Sequence, residues 1–135
     1  MIVVDTSAWI EFLRGTSHPV GREVERLIGS DEELAVTEIV VMEVLAGARS
    51  AQHLTALRSS ILAFPVLDSG LLDFEEAALL YRACRAEGET VRSLTDCLIA
   101  VPAIRAGASM LHNDADFDVI SRHADLKIHK PRKSR

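Results

Sequence analysis

Residues 1–15 read MIVVDTSAWIEFLRG and predict a strand that passes directly into a helix. Ile2–Val4 is a short β-branched run, typical of a strand buried in a parallel sheet. The helix that follows has Thr6 or Ser7 as its expected N-cap. Asp5 stands at the junction, so its carboxylate is expected at the carboxyl end of the strand, where open parallel sheets bind their ligands.

Beyond residue 15, short apolar runs alternate with stretches whose apolar residues recur at helical spacing. Strands are expected at Leu34–Val36, Met110–Leu111 and Leu126–Ile128, and residues 64–67 fit either a strand or a turn. Helices are expected at Pro19–Ile28, Glu38–Ala48, 51–63, 71–87, from Ser93 or Thr95 to Ala106 with Pro102 inside, and at 115–122. Because parallel neighbours need a crossover between them, this order predicts an α/β/α sandwich around a parallel sheet of four to five short strands.

The composition fits one domain, expected to span residues 1–129 with a basic, disordered tail at 130–135. The 135 residues are 48% hydrophobic, and no apolar run approaches the ~18 residues that a membrane span needs. The start of the chain has no basic flank of the signal-peptide kind, so a cytoplasmic location is expected. Cys84 and Cys97 form no Cys-x-x-Cys pair and are expected to be reduced, partly buried thiols.

The net charge of −5 argues at first against a nucleic-acid partner. Residues 127–135 carry five basic and no acidic residues, which leaves 10 basic and 20 acidic residues in 1–126. A body with a net charge of −10 either repels phosphate or holds metal ions that reverse the local sign. The positions of the carboxylates therefore decide the function.

Two aspartates stand at or just beyond the ends of predicted strands. Asp5 comes after Ile2–Val4, and Asp114 comes shortly after Met110–Leu111. If these strands are neighbours, both carboxylates converge at the carboxyl edge of the sheet. A carboxylate in such a position can also be only a helix cap.

Glu43 lies on an apolar helix face, since its neighbours at helical spacing are Ile39, Val40, Ala46 and Gly47. A carboxylate buried there needs a cation, although Glu43 could instead lie at the edge of the face and reach water. Glu38 has similar neighbours, but the helix dipole explains an acid in the first turn. The pattern separates these two glutamates only weakly.

Two further acidic positions lie later in the chain. Asp96 begins a helix ahead of the apolar run 97–101, where it could also be only a first-turn acid. Arg92 could pair with Asp96 or face a phosphate. The segment 112–118 reads HNDADFD, with three acids at alternate positions, and it does not follow the EF-hand pattern.

Several acids in one cleft cannot all stay ionised without a cation, and Mg²⁺ or Mn²⁺ prefers the oxygen ligands that they offer. A pair of such ions can activate water and stabilise both oxygens of a phosphodiester displacement. This chemistry would let an acidic protein act on an acidic substrate. Basic residues at the rim could hold the strand; the candidates are Arg14, Arg49, Arg92 and the tail.

The chain resembles the PIN-domain VapC toxins over nearly its whole length. The matching motifs are Asp5-Thr-Ser-Ala-Trp9, Met42-Glu-Val-Leu-Ala-Gly47, Ser93-Leu-Thr-Asp-Cys-Leu-Ile-Ala100 and Asn113-Asp-Ala-Asp-Phe117. Each motif alone is weak, whereas four in the same order and spacing are specific. The resemblance implies a PIN-like fold and a Mg²⁺- or Mn²⁺-dependent endoribonuclease toxin that cleaves structured RNA such as tRNA or ribosomal RNA. It also implies a cognate VapB antitoxin and a toxin that commonly forms a homodimer.

The resemblance also assigns roles to residues and selects Glu43 over Glu38. By position, the family's acidic quartet, which binds the metal and carries catalysis, is matched by Asp5, Glu43, Asp96 and Asp114. Asp116 matches a secondary acid, and Ser7, with Thr6 beside it, matches a small hydroxyl residue near the metal. The chain departs from the family at His112, where many members have Thr, and at Pro102, which interrupts a usually continuous helix.

Other interpretations fit less well. A haloacid dehalogenase phosphatase needs a second Asp where this chain has Ser7, and a phospho-receiver domain needs an acidic neighbour beside Asp5. A PIN-like module that binds RNA or protein without turnover stays open. Cleavage of RNA with Mg²⁺, absent with EDTA, distinguishes an enzyme from that module.

Overall fold

The structure, a computed structural model, describes residues 1–133. Strands and helices alternate along it. Its five strands are β1 (Ile2–Val4), β2 (Leu34–Thr37), β3 (Val66–Leu67), β4 (Ser109–Leu111) and β5 (Lys127–Ile128). Its seven helices are α1 (Thr6–Leu13), α2 (Pro19–Ile28), α3 (Glu38–Ala46), α4 (Ala51–Ile61), α5 (Leu71–Ala86), α6 (Leu94–Arg105) and α7 (Ala115–His123).

The strands form one parallel sheet in the order β3-β2-β1-β4-β5. The chain builds outward from β1 through β2 to β3, and then returns to the other side of β1 with β4 and β5. Val4 is paired with Leu111, so β1 and β4 end side by side. This reversal of strand order is the switch point at which open parallel sheets form their ligand crevice. The predicted sandwich with a parallel sheet is confirmed.

The three central strands are buried, while the two-residue edge strands β3 and β5 are partly exposed. Helices on both faces close a core whose largest fully buried side chains include Trp9, Phe117 and Met110. No helix among the described residues is long and apolar enough to cross a membrane. Cys84 and Cys97 are unbonded thiols and are buried more completely than the sequence predicts.

Several local predictions differ from the structure. The N-cap of α1 is Asp5 and not Thr6 or Ser7, because the Asp5 carboxylate accepts the Ser7 amide at the start of the helix. Helix α3 ends at Ala46, two residues earlier than predicted, and Ala46, which the apolar helical pattern predicts to face inward, is exposed. Helix α6, by contrast, begins after Ser93 and contains Pro102 as predicted, and it ends at Arg105, one residue earlier than predicted.

The last described residues pack against α2. The buried Glu23 carboxylate receives a bidentate pair of hydrogen bonds from Arg26 and contacts His129 Nε2 at 2.5 Å. The Arg26 hydrogen bonds, helped by His129 and by the Arg132 amide, overcome burial and lower the pKa of Glu23 to about 2. The tail prediction for 130–135 falls partly on residues 134–135, which lie outside the described residues, and disorder there stays a prediction.

Candidate active site

The acidic side chains that the sequence singles out gather around the carboxyl ends of β1 and β4. The Asp5 amide donates to the Leu111 carbonyl at 3.0 Å, which joins the residue after β1 to the end of β4. Helices α3, α6 and α7 bring the remaining acids to the same edge. We call the five acidic residues at this edge the acidic centre: Asp5, Glu43, Asp96, Asp114 and Asp116.

Asp5 caps α1 with one oxygen and leaves the other free. Its Oδ2 accepts the Ser7 backbone amide at 3.0 Å and the Ser7 hydroxyl at 2.6 Å. Its Oδ1 is buried, and no group in the described chain donates a hydrogen bond to it. Burial raises the pKa of Asp5; hydrogen bonds from Ser7 oppose the rise, and the charge of Glu43 adds to it. Capping therefore explains the contacts of Oδ2 but leaves Oδ1 without a partner.

Asp96, Asp114 and Asp116 form a tight cluster. Each offers one carboxylate oxygen, and the three oxygens lie within 4.8 Å of one another. Asp96 is in the first turn of α6, and its Oδ2 is buried without a hydrogen-bond partner. Burial, the neighbouring Asp114 carboxylate and the charge of Asp5 raise the pKa of Asp96 to about 9. In the absence of a cation, Asp96 is thus protonated at neutral pH.

Asp116 differs from its neighbours because both of its oxygens are already bonded. They accept the backbone amides of Arg92 and Ser93 at 3.1 and 3.0 Å, which fixes the loop before α6. Burial alone would raise the pKa of Asp116, but these amides, the Asp96 carboxyl and the Arg92 charge hold it below its usual value. The Arg92 guanidinium lies 3.9 Å from Asp114 and 3.7 Å from Asp116, and it forms no ion pair with Asp96.

Glu43 reaches the acidic centre from α3. It is half-buried, and its Oε1 accepts a hydrogen bond from the Thr6 hydroxyl at 2.8 Å. This contact orients the carboxylate toward α1, next to the charge of Asp5. Glu43 is thus intermediate between the buried and the solvent-exposed positions that the sequence left open. Glu38 instead accepts the Ser69 amide at 2.7 Å, outside the acidic centre.

Two side chains position the loop that carries Asp114. The Ser7 hydroxyl, which donates to Asp5, also accepts the Asn113 amide at 2.8 Å and so connects α1 to this loop. His112 Nδ1 accepts the Asp114 amide at 3.0 Å, and the ring packs on Phe117 with centroids 5.2 Å apart. His112 therefore supplies a side-chain acceptor of the kind that a Thr or Asn would provide in the same turn.

A groove of about 540 Å³ opens beside Glu43 between α1, α3 and α4. Arg14 and Arg49 line it together with His53, and Gly47 leaves its wall without a side chain. Arg14 and Arg49 are thus on the Glu43 side of the acidic centre, whereas Arg92 is on the Asp114 side.

The acidic centre fits a divalent cation. Asp5 Oδ1 and Asp96 Oδ2 are buried carboxylate oxygens without partners, and an unsatisfied buried oxygen of this kind is costly unless a cation binds it. Asp114 supplies a third carboxylate oxygen close to Asp96. Carboxylate oxygens are the preferred ligands of Mg²⁺ and Mn²⁺.

Comparison with known proteins gives the family. The PIN-domain family profile matches residues 2–123. The VapC ribonuclease Mb1587 of Mycobacterium bovis and the ribonuclease VapC11 of Mycobacterium tuberculosis are each 46% identical over 129 residues, which is 94% of this chain and 96% of theirs. The chain belongs to the PIN-domain family of VapC ribonucleases. The VapC resemblance predicted from its four motifs is confirmed.

Solved VapC structures share the fold at low identity. A chain of VapBC2 from Rickettsia felis, solved bound to a DNA fragment from its promoter, is 18% identical and has a TM-score of 0.74, with 96% of this chain and 98% of that chain covered. VapC20 of Mycobacterium tuberculosis, described as a sarcin-ricin loop cleaving toxin, is 18% identical with a TM-score of 0.69 over 94% and 99% of the two chains.

Sequence reasoning singled out His112 but missed two other contributors to this VapC site. His53 lines the groove, and the Asn113 amide binds the Ser7 hydroxyl. The polar residues of 112–118 indicated a turn, which is the signal that could have pointed to Asn113. No sequence signal connects His53 to Glu43, because they are on different helices.

Proposed function

We propose that this VapC ribonuclease is a Mg²⁺-dependent endoribonuclease toxin that hydrolyses phosphodiester bonds in structured RNA, either tRNA or ribosomal RNA. Mn²⁺ is expected to substitute for Mg²⁺ because both ions bind carboxylate oxygens. Two buried carboxylate oxygens without partners support the proposal best: one belongs to Asp96, which lies beside Asp114, and the other to Asp5, whose charge acts on Asp96. The likeness to VapC20, a toxin that cleaves the sarcin-ricin loop, supports a folded RNA loop as the class of substrate.

Asp5, Asp96 and Asp114 would hold the ion, with Asp116 as a secondary ligand. When bound, Mg²⁺ supplies a positive charge that polarises the phosphoryl group and lowers the pKa of a bound water. Asp116 binds two backbone amides, so its main contribution is to fix the loop that leads to Asp96. Ser7 keeps Asp5 and the Asp114 loop together through its two hydrogen bonds.

Glu43 is the proposed acceptor of the proton that the attacking water releases. The Thr6 hydroxyl occupies Oε1, and the half-buried position of Glu43 at the groove keeps its carboxylate accessible to water. Arg14 and Arg49 on one side of the acidic centre and Arg92 on the other would bind phosphates of the RNA.

Two protein partners belong to the proposal. A VapB-type antitoxin would neutralise the toxin in the cytoplasm, as suggested by VapBC complexes of Rickettsia felis, Haemophilus influenzae and Salmonella typhimurium among the structural neighbours. A second copy of the chain would form a homodimer. Apolar residues that are at least half exposed on α5 and at the start of α6 are suited to such contacts; they are Leu71, Leu72, Phe74, Leu79 and Leu94.

The proposal is tested by incubating purified protein with bacterial RNA in Mg²⁺ and in EDTA, beside an Asp5→Asn, Asp96→Asn double variant. Cleavage is expected only for the wild type in Mg²⁺. Equal cleavage by the double variant would show a contaminating nuclease, and RNA retained on a filter without shortening would show a binding module. If water is the nucleophile, the products carry 5′-phosphate and 3′-hydroxyl ends, so 2′,3′-cyclic phosphates would exclude this route.

A further inference from the structure

The groove beside Glu43 combines two features that a nucleotide requires. We call it the Arg14 groove; it is lined by Ile10, Leu13, Arg14, Glu43, Val44, Gly47, Arg49, His53 and Leu57. Its volume of about 540 Å³ falls within the range of small-molecule sites. Glu43 is common to the groove and to the acidic centre, so whatever binds in one is adjacent to the other.

The groove offers hydrogen-bond donors and positive charge. Within residues 1–133, neither Arg14 nor Arg49 forms an ion pair with an acid. The arginines that do are Arg26, Arg92, Arg105 and Arg122. The guanidinium groups of Arg14 and Arg49 are thus available for a ligand. His53 Nδ1 accepts the Arg49 backbone amide at 3.0 Å, which requires this nitrogen to be unprotonated. The neutral ring therefore carries its proton on Nε2, as a further donor.

The remaining wall of the groove is apolar. Ile10 and Leu13 from α1 are 36% and 39% exposed, and Val44 and Leu57 lie at the buried base. A phosphate alone would leave the apolar wall without a contact, and an apolar side chain alone would leave the two arginines without a partner. A nucleotide has both a flat apolar face and a charged phosphate.

We propose that the Arg14 groove binds one unpaired nucleotide of the RNA, next to the bond that is cut. This inference rests on the proposed ribonuclease function and adds to it a requirement for a splayed-out nucleotide. The phosphate binds Arg14 and Arg49, the base lies on Leu13 and its apolar neighbours, and Glu43 separates this nucleotide from the scissile phosphate. A paired nucleotide cannot enter, because its base stays stacked in the helix, and recognition of unpaired loop bases is common among RNA-binding proteins.

The test compares two double variants that remove the same charge. Arg14→Gln, Arg49→Gln changes the groove, whereas Arg22→Gln, Arg82→Gln removes two exposed arginines outside it. Each pair is made in the Asp96→Asn background for binding, and in the wild-type background for cleavage. The probe is a fluorescent RNA hairpin pool with a randomised loop, and the competitor is the matching blunt duplex.

Loss of the groove arginines should raise the Kd for the hairpin pool at least about tenfold, because each charged hydrogen bond contributes measurably to affinity. It should also reduce the slope of log K against log salt by about 0.7, since the contact with one phosphate of a single strand is lost. The control pair should leave both quantities near those of the parent. Leu13→Ser should weaken hairpin binding without changing the salt slope, because it removes apolar surface and no charge.

Several outcomes would overturn the inference. One is equal binding and cleavage by the groove variant and the control pair; another is equal affinity of the parent for the hairpin and the blunt duplex. Loss of antitoxin binding with unchanged RNA binding would assign the groove to a protein segment instead. The proposed function is judged separately, by Mg²⁺-dependent cleavage with the wild type: if that cleavage is present and the groove variant retains it fully, only the nucleotide site is wrong.

Discussion

Replacing Asp96 with Asn should stabilise the metal-free protein, and the gain should increase with pH. The folded protein raises the pKa of Asp96 to about 9, from the ordinary value of 3.8 that applies to the unfolded chain. Between these values the folded state holds a proton that the unfolded state has released. Stability from this group is therefore fully present below the unfolded pKa and is lost as pH rises toward the folded one.

The size of the effect follows from this difference in bound protons. One proton costs up to about 1.4 kcal/mol of unfolding free energy per pH unit, or at most roughly 3 kcal/mol between about pH 6 and pH 8. Relaxation of the Asp114 carboxylate and penetration of water reduce the cost, so we expect about 1.5 kcal/mol. For a chain of 135 residues this corresponds to roughly 5–7 °C in Tm. Asn at position 96 places an uncharged amide donor close to the Asp114 carboxylate, so the variant removes the charge repulsion.

The assay is thermal unfolding in EDTA at the two pH values, for the wild type, Asp96→Asn and the control Asp31→Asn, which changes an exposed aspartate. The difference in Tm between Asp96→Asn and the wild type should widen with pH, while Asp31→Asn follows the wild type. Mg²⁺ should raise the Tm of the wild type much more than that of Asp96→Asn. Equal losses of Tm by all three proteins between the two pH values would refute the assigned charge repulsion.

Three further predictions concern the groups around the acidic centre and the end of the described chain. Ser7→Ala should lower the unfolding free energy by about 1–2 kcal/mol in urea, because two hydrogen bonds are lost, and an unchanged midpoint would contradict this. His112→Asn should keep a Mg²⁺ affinity near that of the wild type in calorimetry, because the asparagine Oδ1 can accept the Asp114 amide. His112→Leu should weaken Mg²⁺ binding about tenfold, because it removes this acceptor. Equal Mg²⁺ affinities of the two variants would contradict the role of this hydrogen bond. Glu23→Gln should lose about 2 kcal/mol at neutral pH, because it removes the charge of a buried carboxylate that pairs with the partly exposed Arg26. The pKa of Glu23 is lowered to about 2, so this loss should shrink as pH falls from 4.5 toward 2 in acid titrations, and a constant loss would count against the pair.

Most of the fold could be predicted because strands and helices here have distinct hydrophobic periods. Ile2–Val4 and Leu34–Val36 are apolar throughout because both faces of the central strands are covered. The edge strand β3 stayed ambiguous, since a two-residue strand carries no periodicity of its own. The order of strands was also not readable, because it depends on where each crossover packs and not on any local pattern.

The acidic centre was predictable to the extent that strand ends determine it. Asp5 and Asp114 follow neighbouring strands, so their convergence needed only the sheet. The half-buried position of Glu43 could not be predicted, because Glu43 is held by a hydrogen bond from Thr6, 37 residues away, which the helical pattern does not encode. The capping of α1 was assigned to Thr6 or Ser7 because these residue types are common caps, but the extended backbone at Asp5 gave that role to the aspartate.

The proposed function depends most on a divalent ion bound between Asp5, Asp96 and Asp114. Anomalous diffraction from a crystal soaked in Mn²⁺ tests this directly, with an Asp5→Asn, Asp96→Asn crystal as the control. A wild-type peak is expected within about 2.5 Å of oxygens from all three carboxylates, and it should be missing from the control. A peak bound elsewhere, or none at this edge of the sheet, would contradict the metal-dependent nuclease proposed for this chain.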